Sequence, residues 1–276
     1  MIDLHTHSIY SDGSMTPAEL VRHAKQSGLS AVALSDHDSL SGVAEALEEG
    51  RKIGIEVIPA IELSAESDTE THILGYFIDI ENEALLEKLK YVRQVRIERE
   101  EEICQKLRGL GFDVTMHEVE ELAETDVLCR AHFAKLMVKK GYVESVKEAF
   151  DKYLANGRPA YSGRQALTDE ECVELINGAG GKAFVAHLHL TRKPHEELKE
   201  FLTRLKAKGL CGVEGYYTEY TPEMQAEYQA LAEELGLIIS GGTDFHGAFK
   251  PHISIGRGLG ELEIPDSVLT NMKNKH

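Results

Sequence analysis

The sequence predicts an α/β chain in which strands and helices alternate, and three observations carry that expectation. Short apolar runs of strand length recur, such as Ala31-Val32-Ala33-Leu34, continuous in the manner of a parallel strand covered on both faces. Helix-capping residues open the segments between them. Histidines and acids collect where the strands end, which is where sites assemble in α/β barrels and open α/β sheets. The 276 residues suffice for one barrel-sized domain or two smaller ones.

Residues 2–4 start a short buried strand that runs into His5 and His7. Residues two apart share a strand face, so both imidazoles project together. Asp12-Gly13 then reads as a turn that folds a carboxylate back towards them. Two imidazoles and a carboxylate on a short tether form a divalent-metal constellation. An isolated pair of histidines is a weak signal; the later strand ends strengthen it. Thr16 as N-cap, Pro17 at the first helical position and Glu19 closing a capping box open a helix that Gly28 ends. The run at 31–35 leads into Asp36-His37-Asp38, a helix covers about 41–52, and a strand at 56–62 ends in Glu62. A fourth short strand, 71–76, carries His72.

From about residue 82 the texture changes. Leu85, Leu86, Leu89 and Val92 recur at helical spacing, Ile103 and Leu107 continue the face, and Gly109 and Gly111 break it. Shorter helices follow through 119–122, 131–140 and 146–154. Residues 80–159 thus read as an all-helical insertion, and residues 1–79 with 160–276 as one discontinuous α/β unit. The alternation resumes with a second capping box, Thr168 to Glu171, and a strand at 182–186 that ends at His187. A helix at about 196–208, a strand at 212–217, a helix opened by Thr221-Pro222 and a strand at 237–240 follow. The last strand runs into Gly241-Gly242-Thr243-Asp244-Phe245-His246.

The net charge, 30 − 47 = −17, argues against broad binding to a nucleic-acid backbone, duplex included. It leaves room for a small phosphorylated substrate, because bound cations reverse the sign locally. The four cysteines form no C-x-x-C, so free thiols in a reducing cytoplasm are expected. Asp3, His5 and His7 interrupt any signal-peptide core, and no apolar run approaches the length of a membrane span.

Nine ligand candidates stand at strand ends: His5, His7, Asp12, His37, Glu62, His72, His187, Asp244 and His246. Here the sequence resembles the PHP (polymerase and histidinol phosphatase) superfamily. The resemblance rests on His5-Thr6-His7, Ser11-Asp12-Gly13, Ser35-Asp36-His37-Asp38, Ile61-Glu62-Leu63-Ser64, His72-Ile73-Leu74-Gly75-Tyr76, Ala186-His187 and Thr243-Asp244-Phe245-His246, in order over nearly the whole chain. The helical insertion, with Phe150-Asp151-Lys152-Tyr153-Leu154 and Gly157-Arg158-Pro159-Ala160-Tyr161, resembles the branch of small stand-alone phosphoesterases that act on nucleoside 3′,5′-bisphosphates and short RNA.

The resemblance implies a distorted (β/α)₇ barrel with up to three divalent ions at its mouth, Mn²⁺ first and Zn²⁺ or Fe²⁺ as alternatives. By motif, His5, His7, Glu62 and Asp244 would hold the first ion. Glu62, His72 and His187 would hold the second, with Glu62 bridging, and Asp12, His37 and His246 the third. Glu62, Asp12 and His187 would then be the catalytic residues. Three ions bring +6 against −3 from the three carboxylates, and the surplus suits a phosphate dianion and a hydroxide formed at near-neutral pH. Asp36 and Asp38 could accept from ligand imidazoles.

Substrate contacts are expected from the insertion. Arg130 and His132 stand at a helix start, and Arg158 and Arg164 in the returning loop; the resemblance places arginines at 130 and 158 in phosphate contact. His189 departs from the branch, which often has proline just after the histidine equivalent to His187. It could be an extra ligand, a proton donor or a supporting residue. His23, His117, His195 and His276 read as surface residues, and His252 could lie near the mouth. The expected activity is hydrolysis of nucleotide phosphate esters: the 3′-phosphate of nucleoside 3′,5′-bisphosphates first, short 5′-phosphorylated RNA next. Histidinol-phosphate phosphatase is the alternative within the enzymes, and a non-catalytic metal or nucleotide sensor the alternative outside them.

Overall fold

The structure is a computed structural model that describes residues 1–67, 69–123, 128–163 and 166–274. Arg164 and His276, both singled out in the sequence, lie outside the described residues. Seven strands form one sheet in chain order: β1 (Ile2–Asp3), β2 (Ala31–Leu34), β3 (Glu56–Ser64), β4 (His72–Tyr76), β5 (Lys182–Val185), β6 (Gly212–Tyr217) and β7 (Ile238–Gly242). The sheet curls until its edges meet. Leu4 N–H donates to Gly241 O at 3.1 Å and His7 N–H to Phe245 O at 2.9 Å, giving a nearly closed barrel. Gly242 is needed at that seam, since a Cβ there would run into His5.

Helices α1 (Pro17–Gln26) and α2 (Val43–Ile53) link the first three strands. The capping box at Thr16 forms as the sequence predicts. The link from β3 to β4 differs. Only residues 65–71 separate the two strands, too few for a crossover helix, so they pair directly as an antiparallel hairpin. β4 is antiparallel to β5 as well, whereas the other pairs are parallel. His72 therefore opens its strand, and the reversal brings it to the same mouth as residues that close theirs.

After β4 the chain forms α3 (Glu83–Gly109), α4 (Met116–Ala123), α5 (Arg130–Lys139) and α6 (Val146–Ala149), the last continuing as a π-helical turn, Phe150–Leu154. α3 belongs to two cores. Leu85, Leu89 and Val92 pack on the barrel with Val173 and Ile176. Ile103, Cys104 and Leu107 pack in a separate core with Phe133, Met137, Val143 and Leu154. Leu86, expected on the buried face, turns outward. Between the two apolar stretches the same face carries Arg96, Arg99 and Glu100, all buried.

Helices α7 (Asp169–Gly178), α8 (His195–Ala207) and α9 (Pro222–Glu234) precede β5, β6 and β7. A last helix, α10 (Asp266–Asn274), was not anticipated; Val268, Leu269 and Met272 pack it under the barrel with Ile2 and Ile58. The four cysteines are free thiols. No helix among the described residues is long and apolar enough to cross a membrane.

Candidate metal centre and substrate pocket

The barrel mouth gathers all nine ligand candidates around Glu62. One carboxylate oxygen of Glu62 lies 3.2 Å from His5 Nε2, 3.3 Å from His7 Nε2 and 3.1 Å from His37 Nδ1. The other lies 2.8 Å from His72 Nδ1 and 3.0 Å from His187 Nε2. Asp244 Oδ1 stands 3.2 Å from His7 Nε2 and 3.6 Å from His5 Nε2. Asp12 Oδ1 stands 3.1 Å from His246 Nε2, with His7 and His37 at 3.8 and 3.9 Å. His187 and Asp244 take left-handed backbone angles, φ 26° and 56°, held by the packing around them.

The donor set suits divalent ions. His5 Nε2, His7 Nε2, His37 Nδ1, His187 Nδ1, Asp12 Oδ1 and Glu62 Oε2 are buried without a hydrogen-bond partner among the described residues. Buried polar atoms are normally satisfied, so six orphans on the side chains of one cluster mark a place for cations. The electrostatics agree. Burial favours a neutral His7, yet Asp244 and Glu62 lift it to about 9. Burial likewise opposes ionisation of Glu62, and the surrounding imidazoles still hold it well below the usual carboxylate range. The acids at the mouth demand positive charge. At His37 the burial wins and holds the imidazole neutral, at about 3, free to offer a lone pair.

The family model for the PHP domain matches residues 3–241. The chain belongs to the PHP domain family. It is 32% identical over 260 residues to the 5′-3′ exoribonuclease Rnm of Escherichia coli, covering 93% of this chain and 88% of that one. It is also 32% identical over 267 residues to the 3′,5′-nucleoside bisphosphate phosphatase of Chromobacterium violaceum, covering 95% and 91%. A solved amidohydrolase from C. violaceum, with bound sulfate and no metal, superposes with a TM-score of 0.88 at 29% identity, covering 99% and 95%. This PHP protein is a metal-dependent phosphoesterase.

Residues around the PHP cluster hold it in place, and sequence reasoning missed several. Glu214 on β6 is buried: one oxygen lies 2.9 Å from His5 Nδ1 and the other accepts the His187 N–H at 2.6 Å. Asp244 Oδ2 accepts from Tyr217 Oη at 3.0 Å and from Lys250 Nζ at 2.6 Å. Glu70 forms a further ligand-like group with His72 and His187. Asp36 and Asp38 differ from expectation, because neither accepts directly from an imidazole. Asp36 takes hydrogen bonds from Ser8 and Ser11, and Ser11 Oγ reaches His7 Nδ1 at 3.3 Å. Asp38 pairs with Arg96 and accepts from Ser64.

A cavity of about 440 Å³ opens from the cluster towards the helical segment. Arg130 lines it, together with Arg96, Arg99 and Lys135. Arg130 stands over Tyr161, 5.3 Å from the ring centroid, and has no carboxylate partner among the described residues. Arg99 is buried; among the described residues its Nε has no partner and its nearest acid, Glu100, is 3.5 Å away. His132 lies outside the cavity lining: its Nδ1 accepts the Cys129 N–H at 3.0 Å and caps α5, while burial lowers it to about 4. Arg158 is exposed in a turn and outside that lining. His189 turns to Glu219 at 3.2 Å between Tyr217 and Tyr220, apart from the cluster, and His252 is exposed.

Proposed function

We propose that this PHP protein removes the 3′-phosphate of nucleoside 3′,5′-bisphosphates, with up to three ions, Mn²⁺ first, at the mouth. His5, His7, Glu62 and Asp244 would hold the first; Glu62, His72 and His187 the second; Asp12, His37 and His246 the third. Imidazole and carboxylate donors without cysteine suit Mn²⁺ or Fe²⁺ as well as Zn²⁺. Such ions activate water as a nucleophile and neutralise charge on the phosphoryl oxygens. Glu214, through His5 and the His187 backbone, and Tyr217, through Asp244, keep the ligand side chains oriented.

The observation that carries the reading is Arg99: a buried guanidinium with an orphan Nε, in the same cavity as the ligand cluster. A buried cation without an acid in good contact is costly unless an anion joins it. Arg99 and Arg130 supply a second anion site, and a substrate with two phosphates uses both. In this reading residues 80–159 are an inserted helical unit that carries substrate contacts to a barrel made of 1–79 and 160–276.

Short 5′-phosphorylated RNA is a second reading with its own support. Next to the first cavity and sharing Glu70, His72, Arg130 and Phe150 with it lies another of about 270 Å³, lined by Asn156, Tyr161 and Arg192. A longer chain would have somewhere to run. The test is phosphate release by Mn²⁺-reconstituted protein from adenosine 3′,5′-bisphosphate, 5′-AMP, histidinol phosphate and short 5′-phosphorylated RNA. The bisphosphate is expected to give the highest kcat/KM. Faster turnover of histidinol phosphate would reverse the assignment.

A further inference from the structure

The cavity carries an aromatic ring that phosphate chemistry leaves unused. Phe249 lines the cavity and is still 42% exposed. It ends a short 3₁₀ turn, Gly247–Phe249, directly after His246. The turn is fixed: the Ala248 N–H donates to Ser14 Oγ at 2.8 Å, and Gly247 takes φ 63°. Lys135, from α5, places its Nζ 3.2 Å from the ring centroid. That cation–π contact engages one face of the ring, which stays partly exposed. Val146, also exposed, and Phe150 add apolar surface to the same lining. Arg99 and Arg130 stand in that cavity too. A sugar phosphate would use the cations and leave the ring bare; a nucleotide would use both.

We propose that Phe249, held by Lys135, is the stacking platform for the base of a nucleotide substrate and selects nucleotides over other phosphate esters. The proposal rests on the reading above that a phosphate ester binds between the ion cluster and the arginines. Stacking on an aromatic side chain strengthens binding by roughly 10- to 100-fold per base and tolerates any base, since each has a π-face. The platform therefore distinguishes base from no base more than one base from another.

Calorimetric titration of the Mn²⁺-reconstituted full chain with 5′-AMP and with ribose 5-phosphate tests this. In the unaltered protein AMP is expected to bind at least about tenfold tighter. Phe249→Ala is expected to bring that ratio below about threefold by weakening AMP alone, and Phe249→Trp to restore it. A ratio near one in the unaltered protein overturns the proposal. So does a ratio that Phe249→Ala leaves unchanged, an equal weakening of both ligands, or no binding of either. The readout is binding, so failure to hydrolyse bisphosphates would sink the proposed reaction and leave this ratio as a separate result.

Discussion

The barrel mouth and the helical wall opposite both bury charge, and they do so differently. At the mouth every charge is crowded: five imidazoles lie within 3.3 Å of Glu62. On the wall, Arg96 and Arg99 sit three residues apart on one face of α3 and have opposite fates. Arg96 pairs with Asp38 and donates to Leu128 O at 3.1 Å and Ser64 Oγ at 3.3 Å. Among the described residues Arg99 has one acid partner, Glu100 at 3.5 Å. Burial and the neighbouring Arg96 lower Arg99 to about 10, whereas at Arg96 burial is outweighed by the surrounding groups together, Asp38 first, and the guanidinium is raised. A buried charge with a full set of partners is architecture. One left with a single long contact is a candidate site, and in the proposed reading the cations of the wall give the acidic mouth its second anion contact.

The largest effect should come from the mouth. Glu62→Gln preserves the packing but removes the charge that five imidazoles share, so turnover is expected to fall roughly a thousandfold or more, about 4 kcal/mol at 1.36 kcal/mol per decade. Circular dichroism should remain native-like. Near-native turnover at saturating Mn²⁺ would deny Glu62 its place at the centre.

The mouth was legible in the sequence and the wall was not, for a physical reason. Strand ends give a fixed address: His5 and His7 share a face by parity, and His37, Glu62, His187 and Asp244 stand where strands stop. The reversed β4 hid the direction of His72 and spared its identity. The wall has no such address. Its signal was nevertheless present, since Arg96 and Arg99 continue the spacing of Leu85, Leu89, Val92, Ile103 and Leu107. A guanidinium where the helical period favours an aliphatic side chain marks a buried cation. Glu214 left a fainter trace, an acid inside an otherwise uncharged strand. Arg158 lies exposed in the loop that returns to the barrel and outside the cavity lining, and a linear sequence gives no side-chain direction for such a loop.

A smaller effect sharpens the wall. Burial pushes Glu100 up from 4.5 to about 7, against the pull of Arg96 and Arg99. Its folded value lies above its unfolded one, so folding takes up a proton between those limits. Stability should therefore decline as pH rises from about 4.5 to 7, with the loss complete above 7 and on the order of 3 kcal/mol. Glu100→Gln should flatten that slope and unfold at a higher temperature than the parent at pH 8. An unchanged pH profile of Tm would show that Glu100 ionises freely. Smallest of all is Arg158→Ala, expected to change kcat/KM by less than about twofold, since surface substitutions away from a site have small effects. A loss of tenfold or more would return Arg158 to the substrate.

The division of labour between mouth and wall is tested most directly by comparing two substrates that differ by one phosphate. Arg99→Ala and its parent, both reconstituted with Mn²⁺, are assayed on adenosine 3′,5′-bisphosphate and on adenosine 3′-monophosphate. Removing a buried arginine that hydrogen-bonds a phosphate costs about 2–4 kcal/mol, so kcat/KM on the bisphosphate should fall roughly 30- to 1,000-fold. The monophosphate should change by less than about threefold, and metal content should stay the same. Equal losses on the two substrates would place Arg99 at the phosphate being cleaved, and no loss on either would contradict a second anion site on the helical wall.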